Sequence, residues 1–327
     1  MKYPLKFLIV ALSFLSLSAY GCILYPAPTE PSTLTPKANT IAKAAARAKA
    51  DIGKPSEGLI RLKKDGKWGY VNQANQTVID FQYDHARDFT DGLAVVENGR
   101  YGVIDKQGNA VIGFDYGYIS DFADGVAIVK QNNQYGLINA KADLLTAINY
   151  DRIARMSDGF FVVKQGNYCG LMDKTGQTIT PIYYEYMRAD FSNGLIWAVK
   201  DKKMGFIDKS GKVAIPFIYN HLSTNFSEGL LRAEKDKKWG YIDINNHIVI
   251  PFSYHIADDF SDGLAIVSDN HKLGYIDKIG RVVIPIIYNH AHRFKNGRAE
   301  VVLNGESFYI DKTGRRLDWF LFANMIF

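Results

Sequence analysis

Residues 227–254 read SEGLLRAEKDKKWGYIDINNHIVIPFSY, and variants of this stretch recur along most of the chain. The glycine before its first apolar run returns about every 34 residues, a spacing typical of tandem repeats. These glycines are Gly58, Gly92, Gly125, Gly159, Gly194, Gly229, Gly263 and Gly297. In such arrays a single unit cannot bury its own apolar face, so neighbouring units share a core. The sequence therefore predicts eight stacked units of one supersecondary motif.

Each unit holds three short apolar runs separated by turn residues, which predicts three antiparallel strands. The first turn carries pairs such as Asp65-Gly66 and Asn98-Gly99, which suit the left-handed conformations of a tight hairpin. The second turn begins with Asp or Asn in every unit and usually has Gly three residues later. We expect the Asp side chain to cap its own turn and the Gly to take a left-handed position. Such pairs are Asp105 and Gly108, Asp173 and Gly176, Asp208 and Gly211, and Asp277 and Gly280.

Three other recurring residue types predict how the strands pack. Proline in the third run lacks an N–H, so that run is expected at a sheet edge. The glycine after the Trp position indicates a bulge or a close backbone approach. Aromatic residues at two fixed phases, such as Tyr254 and Phe260, predict a ladder of rings between neighbouring units.

The fold class expected is all-β, with eight tandem three-stranded antiparallel units over residues 57–327. We favour an open twisted array, because the units run in whole register from Glu57 onward without a visible permutation. A closed, propeller-like ring is the alternative, since eight is an allowed number of blades.

The first 53 residues differ from the repeats in composition. Residues 1–22 combine a basic start, an apolar run and the exit Ser18-Ala19-Tyr20-Gly21-Cys22, which predicts an export signal of the lipoprotein type. Cys22 is then expected to be acylated and to anchor the chain in a bilayer. Residues 23–39 are rich in Pro and Thr and predict a disordered tether, and residues 40–53 predict a short basic helix. Ile23 after the cysteine favours the outer membrane as destination.

Charge and cysteine content exclude two classes of protein. Lys2 and Lys6, with a surplus of three positive charges in residues 23–56, account for the net charge of +5. Residues 57–327 are therefore neutral overall, which argues against a nucleic-acid-binding protein. Cys169 is the only cysteine besides Cys22, so a disulfide-stabilised scaffold is not expected.

The run Lys238-Trp239-Gly240-Tyr241-Ile242-Asp243, followed by Val249-Ile250-Pro251, resembles the bacterial WG-repeat (KWG-repeat) family. The resemblance covers residues 57–327. It implies an all-β repeat protein of the cell envelope or surface, and the family has no characteristic catalytic residues. The chain departs from the pattern at Cys169, at Ala142 and in the last unit, where Phe308 replaces glycine.

A few residues that do not repeat are candidates for ligand contact. Trp197 occupies a position that looks partly exposed, and an exposed indole can stack on a sugar. His290 and His292 alternate on an extended segment and could bind a metal together with an outside ligand. Paired acidic residues before the glycines, such as Asp259 and Asp262, suit Ca²⁺ or, equally, simple turns.

The sequence predicts a non-catalytic protein without a cofactor or a resident metal ion. We expect an envelope-anchored scaffold that binds an unknown envelope protein, with lipid contact through Cys22 and no nucleic-acid partner. The alternatives are a module that binds glycan or peptidoglycan and a passive structural protein of the envelope.

Overall fold

The computed structural model describes residues 51–317, and this part of the chain is almost entirely β-structure. It forms eight small antiparallel sheets in chain order, here called sheets 1 to 8. Sheet 1 contains β1 (Leu59–Lys64), β2 (Lys67–Asn72) and β3 (Thr77–Tyr83). Sheet 2 contains β4 (His85–Ala86), β5 (Leu93–Asn98), β6 (Arg100–Asp105) and β7 (Ala110–Tyr116). Sheet 3 contains β8 (Tyr118–Ile119), β9 (Val126–Gln131) and β10 (Gln134–Asn139).

The remaining sheets continue the same order. Sheet 4 contains β11 (Arg152–Arg155), β12 (Phe160–Gln165) and β13 (Tyr168–Asp173), with a 3₁₀ turn at Ser157–Gly159. Sheet 5 contains β14 (Tyr186–Met187), β15 (Ile196–Lys200), β16 (Lys203–Ile207) and β17 (Val213–Tyr219). Sheet 6 contains β18 (His221–Leu222), β19 (Leu231–Lys235), β20 (Lys238–Ile242) and β21 (Ile248–Tyr254). Sheet 7 contains β22 (Ile256–Ala257), β23 (Ala265–Asp269), β24 (Lys272–Ile276) and β25 (Val282–Tyr288). Sheet 8 contains β26 (His290–Ala291), β27 (Arg298–Leu303), β28 (Glu306–Asp311) and β29 (Arg316–Leu317).

The predicted tandem all-β array is confirmed, and its sheets contain one strand more than expected in most units. Five of the eight sheets have four strands, because a two-residue strand in the connector pairs with the hairpin that follows it. Such a strand is too short to show an alternating pattern. The proline-containing strands β17, β21 and β25 are the last strands of their sheets, as predicted.

Seven apolar cores hold the eight sheets together in series. Each core joins two consecutive sheets, from sheets 1 and 2 to sheets 7 and 8. A closed ring would need an eighth core between sheets 8 and 1, and residues 51–317 form none. The described part of the chain is therefore an open array.

A ladder of rings runs through these cores, as predicted, but its tyrosines differ from those expected. The connector Phe contacts a Tyr of the second strand, whereas Tyr83, at the predicted phase of Tyr254, contacts Phe114 of the next sheet at 6.2 Å. Tyr241 of sheet 6 meets Phe260 of sheet 7 with ring centroids 4.9 Å apart. The Tyr241 hydroxyl also donates a 2.6 Å hydrogen bond to the carbonyl of Asp258. Tyr70 with Phe89 and Tyr275 with Phe294 repeat the ring contact at 4.8 Å. The recurring aromatic residues thus join one sheet to the next.

The predicted helix over residues 40–53 is wrong at its end. Residues 40–50 lie outside the described part of the chain, as do the signal peptide and the tether. Ile52 forms an antiparallel bridge with Leu62, and the amide of Gly53 donates to the carbonyl of Arg61 at 2.8 Å. Residues 51–53 therefore extend sheet 1, because the edge of β1 offers backbone partners that a helix end would lack.

The Asp turns have the predicted geometry. Oδ1 of Asp208 accepts hydrogen bonds from the amides of Ser210 at 2.9 Å and Lys212 at 3.0 Å. The amide of Gly211 closes the turn on the carbonyl of Asp208 at 3.0 Å. Gly211 has a φ of 81°, and a Cβ added there would lie 2.7 Å from Thr180 of sheet 4. The Asp turns that contain a glycine thus pack against the preceding unit. A Cβ added to Gly108, Gly176 or Gly280, in the turns of Asp105, Asp173 and Asp277, would meet Ile79, Leu145 or Ile250.

We predict that Asp208→Ala lowers the free energy of unfolding by about 1 kcal/mol, because two amides lose their acceptor. Asp208→Asn should retain most of the stability, since Asn72 and Asn139 accept the equivalent hydrogen bonds in their own turns. Urea denaturation of the two variants beside the wild type measures the difference. Equal losses for Ala and Asn would contradict a role as hydrogen-bond acceptor.

The same pair of variants has an expected pH dependence. The hydroxyl of Ser210 donates to the carboxylate and lowers the pKa of Asp208 below its ordinary value of 3.8. A carboxyl group whose folded pKa is depressed stabilises the fold above its unfolded pKa and loses that contribution as pH falls through the folded pKa. The wild-type advantage over Asp208→Asn should therefore shrink below about pH 4.

Candidate functional site

The acidic residues that precede the repeat glycines link neighbouring sheets. Glu228 accepts hydrogen bonds from the amide of Gly263 at 3.0 Å and forms a 3.0 Å ion pair with Lys278. Asp262 accepts from the amide of Gly297 at 2.8 Å, and Asp259 accepts from the hydroxyl of Ser223. Within residues 51–317, no three His, Cys, Asp or Glu side chains are grouped as metal ligands. The paired carboxylates thus have partners within the fold, which favours the turn interpretation over Ca²⁺.

Trp197 lies half-buried between sheets 5 and 6. Its Nε1 donates a 3.2 Å hydrogen bond to the carbonyl of Leu222, and its ring meets Tyr186 edge-on at 5.7 Å. Arg61 and Arg232 occupy the same repeat position and donate to the equivalent carbonyls, 25 residues further along, at 2.8 Å. The indole therefore makes the main-chain hydrogen bond that an arginine makes in sheets 1 and 6.

His290 and His292 are both exposed at the start of sheet 8. His290 of β26 pairs with Val302 of β27. The amide of His292 donates to the carbonyl of Glu300, and the carbonyl of His292 accepts from the hydroxyl of Tyr275. The backbone of this segment is thus fixed by neighbouring strands. In the described region no carboxylate or further histidine groups with these two as a third metal ligand.

An exposed strip of aliphatic side chains crosses sheets 5 to 7 at the end of the sheets that carries the Asp turns. We call it the aliphatic strip; it consists of Val213, Ile244, Ile248, Ile279 and Val282. Ile248 is 58% exposed and Ile279 is 68% exposed. The turn of sheet 7 packs on β21 through Gly280 and Ile250, which brings the Asp-turn ends of sheets 6 and 7 together.

The aliphatic strip is a departure from the repeat, since three of its members hold the position five residues after the turn Asp. The equivalent residues in sheets 1, 2, 4 and 8 are Thr77, Ala110, Thr178 and Arg316, whereas sheet 3 has Leu144, which is also aliphatic and 53% exposed. Sequence reasoning missed this surface because Val and Ile are also the ordinary residues of a buried strand. An alignment of the eight units shows three consecutive sheets with an exposed Val or Ile at this position, where sheets 1, 4 and 8 have a polar or charged residue.

A second irregular feature lies at the opposite end of the sheets, near the first hairpin turns. A depression of about 400 Å³ is lined by His255, Ile256, His271, Leu273 and Asn289. It combines two imidazoles with two aliphatic side chains, and no repeat position explains that combination.

Cys22, the predicted lipidation site, lies outside the described residues. Within residues 51–317, no helix is long and apolar enough to cross a membrane.

Solved structures of other proteins are similar to this chain only at low scores. A crystal structure of a eukaryotic initiation factor is 8% identical over 81% of this chain and 86% of its own, with a TM-score of 0.38. Hsv2 from Kluyveromyces lactis is 8% identical over 67% and 89%, with a TM-score of 0.31. The extracellular domain of a putative hybrid two-component system from B. thetaiotaomicron is 12% identical over 82% and 51%, with a TM-score of 0.25. Scores this low carry no functional inference, and no curated protein matches the sequence significantly.

The family comparison is more specific. The model of the WG containing repeat matches seven times, at residues 68–100, 101–135, 135–169, 170–203, 204–239, 239–272 and 274–306. These matches run almost without a gap through all but the ends of the described sheets. They coincide with the glycine, turn and aromatic positions whose packing is described above. The chain belongs to the WG-containing-repeat family.

Proposed function

We propose that this protein is a non-catalytic interaction module of the cell envelope, whose aliphatic strip binds a partner protein. The observation that supports this proposal is the strip itself, formed by side chains that the fold does not bury. Exposed apolar patches on a soluble domain are typical of interaction surfaces. The recurring residues, by contrast, have partners within the array.

The surroundings of the strip fit a protein partner. Lys212, His247 and Arg281 each precede a strip residue and form a polar margin beside it. An apolar centre with a polar rim is the usual anatomy of a protein–protein interface. The glycan alternative was based on the aromatic content and on Trp197, and the Nε1 of that indole has a structural partner in the carbonyl of Leu222.

The proposal includes attachment to the envelope through an acylated Cys22 and the tether over residues 23–39. A tether of Pro- and Thr-rich sequence would hold the array away from the lipid surface. Metabolic labelling with palmitate tests this part, because Cys22→Ser should abolish incorporation of the lipid.

We predict that Ile248→Lys with Val282→Lys abolishes binding of the partner, since a buried lysine loses hydration without gaining a counter-ion. The matched control is Thr77→Lys with Thr178→Lys, which changes the same repeat position and the same charge in sheets 1 and 4. Crosslinking in cells first identifies the partner. Titration of each variant with the purified partner then measures its affinity. Equal affinity of the strip variant and the control would refute the proposal, provided both unfold at the wild-type urea concentration.

A further inference from the structure

In the first hairpin turns of sheets 5, 6 and 7, a residue other than Gly or Asn has a left-handed conformation at the second turn position. In sheet 7 this residue is His271, with a φ of 62°. Lys202 and Lys237 have φ values of 59° and 63°, in the left-handed region. That conformation is costly for a residue with a long side chain, and Gly or Asn is the usual choice. The equivalent residues in five other sheets are Gly66, Gly99, Asn133, Gly166 and Gly305.

The hairpins of sheets 5 and 6 also place like charges opposite each other. Lys200 pairs with Lys203 across sheet 5, and Lys235 pairs with Lys238 across sheet 6. Directly opposed like charges destabilise an antiparallel pair. We call these six lysines, Lys200, Lys202, Lys203, Lys235, Lys237 and Lys238, the lysine rim.

Sheet 1 shows how the fold neutralises such a pair. Lys67 lies opposite Lys64 and forms a 2.5 Å ion pair with Asp84, which follows β3. The residues that follow β17 and β21 are Asn220 and His255. Neither supplies the fixed negative charge of Asp84, so the lysines of sheets 5 and 6 lack that counter-ion.

The lysine rim therefore carries excess positive charge in a chain whose repeats are neutral overall. Against these six lysines stand Asp201 and Asp236 in the two turns and Glu185, whose Oε1 accepts from the amide of Lys202 at 3.1 Å. Within residues 51–317, the five lysines other than Lys238 form no ion pair. Lys238 contacts the Nε2 of His255 at 3.0 Å, a cation beside an imidazole.

That contact joins the lysine rim to the depression on sheet 7. His255 lines the depression together with Ile256, which is 56% exposed, and Leu273. Positive charge and exposed aliphatic side chains are thus continuous at this end of the array. A ligand that fits both parts carries carboxylates and at least one apolar side chain.

We propose that the lysine rim and the depression bind an acidic segment of a partner protein, with its carboxylates on the lysines and an apolar side chain against Ile256 and Leu273. A flat anionic surface fits less well, because Asp269 of sheet 7, with its side chain 59% exposed, lies beside His255 at the same end. This site lies at the opposite end of the sheets from the aliphatic strip. It stands or falls independently of the proposed function.

The test is titration of the full chain with a short peptide in which glutamates alternate with leucines. Lys202→Gly with Lys237→Gly should raise the midpoint of thermal unfolding, because glycine relieves the left-handed strain, and should weaken the peptide severalfold. Replacing four rim lysines with glutamine should weaken it roughly tenfold at low salt. That variant carries Lys202→Gln, Lys203→Gln, Lys235→Gln and Lys237→Gln.

The control removes the same charge at the opposite end of the sheets and should bind like the wild type. It carries Lys141→Gln, Lys174→Gln, Lys295→Gln and Lys312→Gln. An oligoglutamate without leucine should bind more weakly than the mixed peptide. The proposal is overturned if both glutamine variants bind alike, if leucine adds nothing, or if vesicles of anionic lipid bind the rim and the peptide does not. A lower unfolding midpoint of the glycine variant would overturn the argument from strain.

Discussion

Gly240→Ala is expected to destabilise sheet 6 by about 3 kcal/mol, the upper end of the cost of overpacking a core. A Cβ at this position would lie 2.6 Å from the carbonyl oxygen of Ile250 and 2.9 Å from the carbonyl carbon of Pro251. Both atoms belong to the backbone and cannot rotate away. The register explains the approach, because Trp239 pairs with Tyr254 and Tyr241 with Ile250, which leaves residues 251–253 bulged over the glycine.

The matched control for this prediction is Gly117→Ala. A Cβ there meets only the carbonyl oxygen of Lys130, at an ordinary 3.6 Å, and the backbone is not left-handed. Its effect should stay within about 0.5 kcal/mol. Guanidinium denaturation measures both, and hydrogen exchange of β20 and β21 locates the loss. If Gly240→Ala cost no more than the control, the close approach would not explain the glycine of the WG motif.

The repeat made most of the fold predictable, because every structural constraint recurs in it several times. One Asp-x-x-Gly turn is weak evidence, whereas eight Asp or Asn residues at one phase exclude chance. The same holds for Phe260, whose recurring phase predicted a ring contact between units, whereas its partner Tyr241 was not predicted. The close backbone approach at Gly240 was predictable because glycine recurs at this position of the repeat.

Short-range pairing was not predictable. The two-residue strands β18 and β22 exist because the chain passes beside a hairpin whose edge needs partners, and no side-chain pattern marks them. The bridge of Ile52 to Leu62 replaces the predicted helix end for a related reason, since helix propensity is weaker than an available sheet edge.

The candidate sites consist of residues that depart from the repeat, whereas the fold was predictable from residues that recur in it. Trp197 was conspicuous by residue type. In the structure its Nε1 donates to a main-chain carbonyl, as the guanidinium groups of Arg61 and Arg232 do. The aliphatic strip and the lysine rim consist of common residues that are unusual only for their positions. Lys237 is informative because five other sheets place Gly or Asn where it stands. In a repeat protein, the residues that depart from a structural column without a structural gain are the better candidates for function.

Phe260→Ala is expected to cost about 4 kcal/mol and to uncouple sheet 6 from sheet 7. The ring is 3% exposed and packs against Tyr241 at 4.9 Å, in the core that joins these two sheets. In a linear array each sheet is stabilised by its neighbours, so loss of one interface divides the cooperative unit. Hydrogen exchange should then show sheets 7 and 8 opening together while sheets 5 and 6 stay protected.

Phe260→Met is the matched control, because Met156 holds the equivalent position in the connector of sheet 4 and is itself buried. A flexible thioether of similar volume should fill the site at a cost of about 1 kcal/mol and leave the coupling intact. In a closed ring, sheets 7 and 8 would keep a second neighbour through sheet 1, and Phe260→Ala would not release them as a pair. Uniform loss of protection over all eight sheets would therefore contradict the open array, since an open chain of seven interfaces must divide at the one that is weakened.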